Sequence, residues 1–362
     1  MADAHDELAE LRRRIDGVDD RILELVSERA RIAEQVARVK AARGEAIEVY
    51  RPEREAEILR RLGAANGGPL TDEQVAVLFR EIMSVCRALQ QPLTVAFLGP
   101  HGTFTEEAAV KHFGHGATFA PQMTIGGVFR EVESGGAHYG LVPVENSSEG
   151  VVSHTLDRFL DSELAIVGEV ELRVRHALAS HARSFAEIER VYSHQQGLSQ
   201  CRAWLDVHLP RAERLPVSST AEAARLAAEE PRAGAIASEA AAERYALPLL
   251  QARIEDHHGN TTRFLVLGYR SPPPSGRDKT SLVVSSANRT GLLFQLLEPL
   301  ARNAIDMTRI ESRPARQQGI WEYVFFIDVQ GHAEDERLRE VLAQVRERAS
   351  LFRILGSYPR AI

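Results

Sequence analysis

Apolar residues recur along residues 5–42 at Leu8, Leu11, Ile15, Val18, Ile22, Leu25, Ile32, Val36 and Val39. Steps of three and four describe one long helix with a coiled-coil-like seam. A second helix is predicted from Pro52 through EREAEILRRL, with proline suited to a first helical turn. The segment NGGPLTD breaks it. Thr71 then caps a third helix, with Asp72 and Glu73 in its first turn, running to about Gln91 before Pro92 stops it. Three such helices bury little alone. The long first helix therefore predicts pairing with a second copy of itself.

From Pro92 the pattern changes. TVAFLG, YGLVPV, LAIVGEVEL, RVYSH, AGAIAS and TRFLVLGY are short apolar strands, with helical stretches such as TEEAAVKHFG and SEAAAERYA between them. This alternation predicts an α/β module with largely parallel sheets over residues 93–270. SPPPSGRDK is a linker of extended character. The tail, residues 278–362, reads strand, helix, strand, strand, helix, strand, the βαββαβ order of a ferredoxin-like α+β domain. The helical module occupies residues 1–91.

A chain of 362 residues suits two or three domains. With 44% hydrophobic and 26% charged residues it is neither collagen-like nor disordered. The net charge of −7 argues against a nucleic-acid partner. No apolar run approaches the ~18 residues of a membrane span. The opening MADAHDELAELRRR lacks a basic segment followed by an apolar one, so a cytoplasmic protein is expected. Two cysteines, Cys86 and Cys201, make neither a disulfide framework nor a zinc cluster. Of 44 basic residues only Lys40, Lys111 and Lys279 are lysines.

In the helical module the seam is interrupted by Arg29. A guanidinium there needs a partner: an internal glutamate that sets register, or a dianionic ligand. At ~100° per residue, Lys40 lies only about 20° around the helix from Arg29, and Arg12 about 100° away. Arg12 is better placed for a neighbouring copy's pocket. Cys86 and Gln90 form an i, i+4 pair on the third helix, and Arg54 and Glu55 open the second. The order LRRRIDGVDDRILELVSERARIAEQVARVK, VYRPEREAEIL and CRALQ resembles the all-helical chorismate mutase family. The resemblance implies that Arg12, Arg29 and Lys40 hold the carboxylates and ether oxygen of chorismate, with Arg12 reaching the partner subunit. Arg54, Glu55, Cys86 and Gln90 complete the implied set, with Lys40, Glu55 and Gln90 catalytic. Arg51 stands where some members carry aspartate, and Cys86 where some carry serine.

Three segments of the α/β module carry chemistry. GPHGTFTEEAA places Thr103 and Thr105 at a glycine-bearing turn before a helix, suited to a carboxylate or to simple capping. VPVENSSEGVV places Glu145, Asn146 and Ser147 at a strand end, where α/β proteins hold ligands. GNTTRF brings Asn260, Thr262 and Arg263 to the next strand. In this order the three resemble prephenate dehydratase, as does SHQQGLSQC with its His194. The resemblance implies two α/β lobes in the manner of periplasmic binding proteins, with prephenate in the cleft. Thr262 is then the general acid for loss of hydroxide as carbon dioxide leaves. Arg263 is either a bidentate carboxylate ligand or a structural ion pair. The chemistry calls for no metal and no redox cofactor. His257, His258, His112 and His115 read as solvated loop residues rather than metal ligands.

The tail resembles the amino-acid-binding ACT domain, on NRTGLLFQLLEPL and IESRP. That implies a phenylalanine site at Asn288, Gly291, Leu292 and Leu293 together with Glu311, Ser312, Arg313 and Pro314. Leu292, larger than the alanine common there, is expected to narrow the pocket or alter affinity. The whole chain is thus similar to bifunctional chorismate mutase/prephenate dehydratases, acting on chorismate and prephenate under phenylalanine feedback as a homodimer. Two alternatives are a dehydratase whose helices only dimerise, and a non-catalytic amino-acid-binding regulator.

Overall fold

The computed structural model of the chain describes residues 2–44, 50–286, 290–314 and 323–361. It divides into two compact units. The first comprises Met1–Arg51, Leu59–Leu93 and Phe113–Thr118, and the second comprises Pro52–Ile58, Thr94–His112 and Phe119–Ile362.

The first unit is helical. α1 (Ala2–Ala42) is a single helix of 41 residues. α2 (Pro52–Ala65) carries proline at its start, and its opening turns belong to the second unit. α3 (Asp72–Ala88) is closed by a full capping box: Gln74 N donates to Thr71 Oγ1 and Thr71 N donates to Gln74 Oε1. It ends three residues short of the predicted Gln91, because Leu89–Gln91 already turn away. α1 packs on α3, yet its seam stays open to solvent: Ile15, Ile22 and Leu25 are 58%, 52% and 61% exposed. The segment Phe113–Thr118 joins this unit through α3, where Ser84 Oγ donates to Phe113 O at 2.6 Å and accepts from Gly116 N at 3.0 Å.

The second unit contains three sheets. The first lobe is built from β1 (Thr94–Leu98), α4 (Phe104–Phe113), β2 (Thr118–Gln122), α5 (Ile125–Glu133), β3 (Tyr139–Asn146), β4 (Gly150–Val151), α6 (Ser153–Asp161) and β5 (Ala165–Arg173). The chain then enters a second lobe. This runs β6 (Ala177–Ser180), β7 (Arg190–His194), α7 (Gln195–Gln200), α8 (Arg202–His208), β8 (Glu213–Val217), α9 (Thr220–Glu229), β9 (Ala233–Ala237), α10 (Glu239–Arg244) and β10 (Leu249–Gln251). It returns to the first lobe as β11 (Thr261–Gly268).

The strand orders are β2-β1-β3-β11-β5 and β10-β6-β9-β7-β8. These sheets are mixed rather than largely parallel. β1 is parallel to β3, but β11 runs antiparallel to both β3 and β5. The reason is the double crossing: a chain that leaves along β5 re-enters in the opposite direction as β11. Val174 N donates to Asn260 O, and Ile254 N to His176 O, so the two crossings lie side by side.

The remaining elements are β12 (Asp278–Ser285), α11 (Leu292–Arg302), β13 (Met307–Pro314), β14 (Tyr323–Gln330), α12 (Glu336–Arg348) and β15 (Leu351–Pro359). Their antiparallel sheet, β13-β14-β12-β15, confirms the βαββαβ order. One face packs on α11 and α12 through Leu282, Leu296, Ile327 and Leu342. The other shares a core with the first lobe, where Val283, Phe326 and Tyr358 meet Val144, Phe159 and Leu265. At Gly356 the contact is backbone to backbone: a Cβ there would stand 2.0 Å from Ile166 O. Among the described residues, no helix is long and apolar enough to cross a membrane.

Candidate active sites

The end of β3 and the start of β11 pair in register, Asn146 with Thr262 and Glu145 with Arg263. Alternation along a strand sends these two pairs to opposite faces of the sheet. Asn146 and Thr262 face one way. Asn146 Oδ1 accepts the N–H groups of Ser148 and Glu149 at 3.0 and 3.1 Å, which fixes its amide. Its Nδ2 then donates to Thr262 Oγ1 and to Asn260 Oδ1, both at 2.8 Å. Asn260, 3% exposed, donates onward from Nδ2 to Gln200 Oε1 at 2.9 Å. His176 Nε2 lies 2.8 Å from the same oxygen. Ser147 joins the two strands: its N–H donates to Thr261 O, and its Oγ accepts from Thr261 N. Asn146, Asn260 and Thr262 thus come together as the sequence suggests.

His176 escapes the sequence reading, and Gln200, though inside SHQQGLSQC, is not singled out by it. For His176 the available signal is that it stands directly before the small apolar run ALAS, which the structure buries as β6. A polar side chain entering such a run needs a partner. Burial holds the His176 imidazole below the usual histidine range despite Gln200 and Glu255 nearby. His194, by contrast, caps α7, its Nδ1 accepting from Gln196 N at 3.3 Å.

Glu145 and Arg263 face the βαββαβ domain. Arg263 Nε donates to Glu169 at 2.8 Å, Nη1 to Asp328 at 2.7 Å and Nη2 to Tyr358 Oη at 3.1 Å. Lys279 Nζ reaches both oxygens of Glu169 at 2.8 and 2.7 Å. Glu145 pairs with Arg309 at 3.1 Å. The bidentate substrate-ligand reading of Arg263 gives way to the structural ion pair. Its guanidinium is fully engaged by protein groups, on the face of β11 opposite Thr262. Glu145 is likewise turned from Asn146 toward β13.

The glycine turn after β1 is built around a cap. Thr103 Oγ1 donates to Leu98 O at 3.2 Å and accepts from Glu106 N at 3.4 Å, so the capping reading describes it. Thr105 is buried in the first turn of α4. Gly102, at φ +85°, lets the turn approach α9 and α10 of the second lobe, where a Cβ would meet Ala221 and Ala241 at 3.4 and 3.5 Å. In the same helix, burial and then Glu239 push the Glu107 carboxyl upward.

In the helical unit, Arg29 is half-buried and its Nη1 lies 3.5 Å from Ile82 O of α3. Lys40 is half-buried near the end of α1, and Arg12 is exposed. Cys86 is buried at 2% exposure. Gln90 lies in the turn after α3. Arg54 and Glu55 occupy the first turn of α2, with Arg54 donating to Glu57.

In the C-terminal domain, Gly291 adopts φ +79° at the start of α11, a conformation that favours glycine. Leu292 is buried, its side chain part of the domain's own core. Leu293 is 38% exposed. Glu311 is half-buried on β13, while Ser312 and Pro314 point outward. Arg313 turns to the first lobe, donating to Ser153 Oγ at 2.8 Å and lying 3.5 Å from Asp157. Asn288 lies outside the described residues.

These features define a multidomain protein with a helical module, a two-lobed α/β module and a ferredoxin-like tail. Family models agree: chorismate mutase type II matches residues 11–91, prephenate dehydratase 95–272 and the ACT domain 280–347. A bifunctional chorismate mutase/prephenate dehydratase of Stutzerimonas stutzeri is 52% identical over 99% of both chains. One of Pseudomonas aeruginosa is 52% identical over 100% of both. A solved prephenate dehydratase from Arthrobacter aurescens, in complex with L-Phe, is 36% identical with a TM-score of 0.69, covering 74% of this chain and 90% of its own. The chain belongs to the bifunctional chorismate mutase/prephenate dehydratase family.

Proposed function

We propose that the enzyme converts chorismate to prephenate in residues 1–91 and prephenate to phenylpyruvate in residues 93–270. Residues 278–362 sense phenylalanine. The observation that carries the second step is the 2.8 Å donation from Asn146 Nδ2 to Thr262 Oγ1. With that lone pair occupied, the threonine's own proton points elsewhere, and a donor on the oxygen stabilises the alkoxide that proton loss creates. A bare alcohol is a poor acid, and Asn146 is the help it needs. As the ring carboxylate leaves as carbon dioxide, its bonding electrons enter the ring. The C–OH bond breaks, and the departing oxygen takes the Thr262 proton to leave as water.

The first step needs no nucleophile. Arg12, Arg29 and Lys40 hold the two carboxylates and the ether oxygen, and Arg54, Glu55 and Cys86 complete the site. Lys40 and Gln90 stabilise negative charge growing on the ether oxygen. The exposed apolar seam of α1 supports a homodimer in which Arg12 serves the partner subunit's site. For the tail, the L-Phe complex of the Arthrobacter aurescens relative supports phenylalanine binding; Gly291, Leu293, Glu311 and Ser312 are the proposed contacts.

The test is to supply purified enzyme with chorismate and follow chorismate, prephenate and phenylpyruvate separately, with and without phenylalanine. Chorismate loss with phenylpyruvate formation, slowed by phenylalanine, is expected. No chorismate loss, with added prephenate still consumed, would leave the helices as a dimerisation element.

A further inference from the structure

The amide contacts around Thr262 run in one direction only. Two backbone N–H groups occupy Asn146 Oδ1, so its Nδ2 must face Thr262 and Asn260. Asn260 then presents Oδ1 to Asn146 and Nδ2 to Gln200. Gln200 must present Oε1, and the group approaching that oxygen from the far side must donate. That group is His176 Nε2. The tautomer is therefore fixed by the chain of partners: Nε2 carries the proton and Nδ1 is bare.

The surroundings agree. Nδ1 is buried without a hydrogen-bond partner, and so is Gln200 Nε2. His176 is 3% exposed, and its backbone N–H donates to Glu255 Oε2 at 2.9 Å. Phe104, from the glycine turn of the first lobe, sets its ring edge-on to the imidazole at 5.4 Å. Nδ1 meets no acceptor within hydrogen-bond reach, and burial outweighs the Glu255 carboxylate, which favours the charged imidazole, so the ring is held neutral.

We propose that His176 is a positioning residue of the dehydratase reaction: its neutral Nε2–H tautomer orients the Gln200 amide, and through Asn260 and Asn146 the hydroxyl of Thr262. This series of contacts links the two lobes. Thr262 and Asn146 belong to the first lobe, Gln200 to the second, and Asn260 and His176 to the two crossings between them. Removing the imidazole donor leaves Gln200 Oε1 with Asn260 alone and frees the amide to rotate. The Nδ2 of Asn260 then meets either Oε1 or Nε2 of Gln200, and the second arrangement places two donors against each other.

The inference rests on the reading of Thr262 as the acid, and the test separates the two. His176→Phe keeps the ring volume without a donor, and His176→Gln restores an N–H near the position of Nε2. Both are assayed in the full chain for prephenate and chorismate turnover, beside Thr262→Ala. For His176→Phe, kcat on prephenate falls about 10–100-fold, as displacement of a reacting group does, with KM within about threefold. Chorismate turnover stays at the parent value, and His176→Gln recovers most of kcat. Parent-like kcat in His176→Phe beside an inactive Thr262→Ala overturns the inference alone. Equal losses in His176→Phe and His176→Gln make the role packing and overturn it too. An active Thr262→Ala overturns the reading of Thr262 and, with it, the chain as a route.

Discussion

Thr262 and Arg263 are consecutive residues of β11 whose side chains leave opposite faces of the sheet: Thr262 meets Asn146, and Arg263 meets Asp328 of the C-terminal domain. The strand that presents the proposed acid is thus anchored from behind by the C-terminal domain. Glu145 and Asn146 repeat the arrangement one strand away, with Glu145 on Arg309. Replacing Arg263 by methionine leaves Asp328 and Glu169 as buried carboxylates with one fewer cation. Breaking one partner of a buried pair costs about 3–5 kcal/mol. Lys279 still neutralises Glu169, so the lower end is expected. Circular dichroism during urea unfolding measures the loss, and a change below about 0.5 kcal/mol would mean that the network does not hold the strand.

Lys40→Ala separates the two activities. A donor to charge developing in a transition state contributes about 10²–10³ in rate. Chorismate turnover should fall by at least that much, while added prephenate is dehydrated at the parent rate. Parent-like chorismate turnover in this variant removes Lys40 from the mutase site.

Much of this arrangement was legible in the sequence, because the signals were local. The 3–4 repeat of α1, the Thr71 cap and the apolar runs of β1, β3, β5, β7, β9 and β11 each follow from neighbours in the chain. Asn146, Asn260 and Thr262 were legible through their motifs. The rest depends on pairing across long separations. Sheet direction is set by the double crossing, which no strand records in its own residues. β2, with TFAPQ, and β8, with ERLPV, are half-exposed edge strands with weak apolar patterns. Arg263 looked equally suited to a substrate or an ion pair, because Asp328 lies 65 residues away. Gln200 and His176 are 24 residues apart and meet only because the second lobe folds back on its crossing.

Gly356 tests the seat of the C-terminal domain. A Cβ there stands 2.0 Å from Ile166 O and 2.8 Å from Ile166 N, both backbone atoms of β5 that no rotamer change can move. Gly356→Ala must push β15 off β5 and open the shared core around Val283, Phe326 and Tyr358. Overpacking of this kind costs about 1–3 kcal/mol. Urea unfolding measures that loss, and limited proteolysis of the linker at 271–277 should accelerate. Parent-like stability and cleavage would show that the two strands separate without cost.

His176 gives the enzyme a pH dependence of known sign. Burial depresses the imidazole's pKa in the folded state. In the unfolded chain it titrates near the ordinary value of about 6.5. Above that pH both states are neutral and the group adds no slope. Below it the unfolded chain binds the proton first, so stability falls as pH drops toward the folded pKa. The slope approaches about 1.4 kcal/mol per pH unit while only the unfolded state is protonated. His176→Gln lacks this titration. Urea unfolding of parent and variant at pH 7.5 and 5.5 compares them directly, and carboxylates elsewhere contribute equally to both. The parent should lose more stability on acidification than His176→Gln. An equal loss would mean that the folded state accepts the proton as readily as the unfolded one, and that the imidazole is not held as a neutral donor to Gln200.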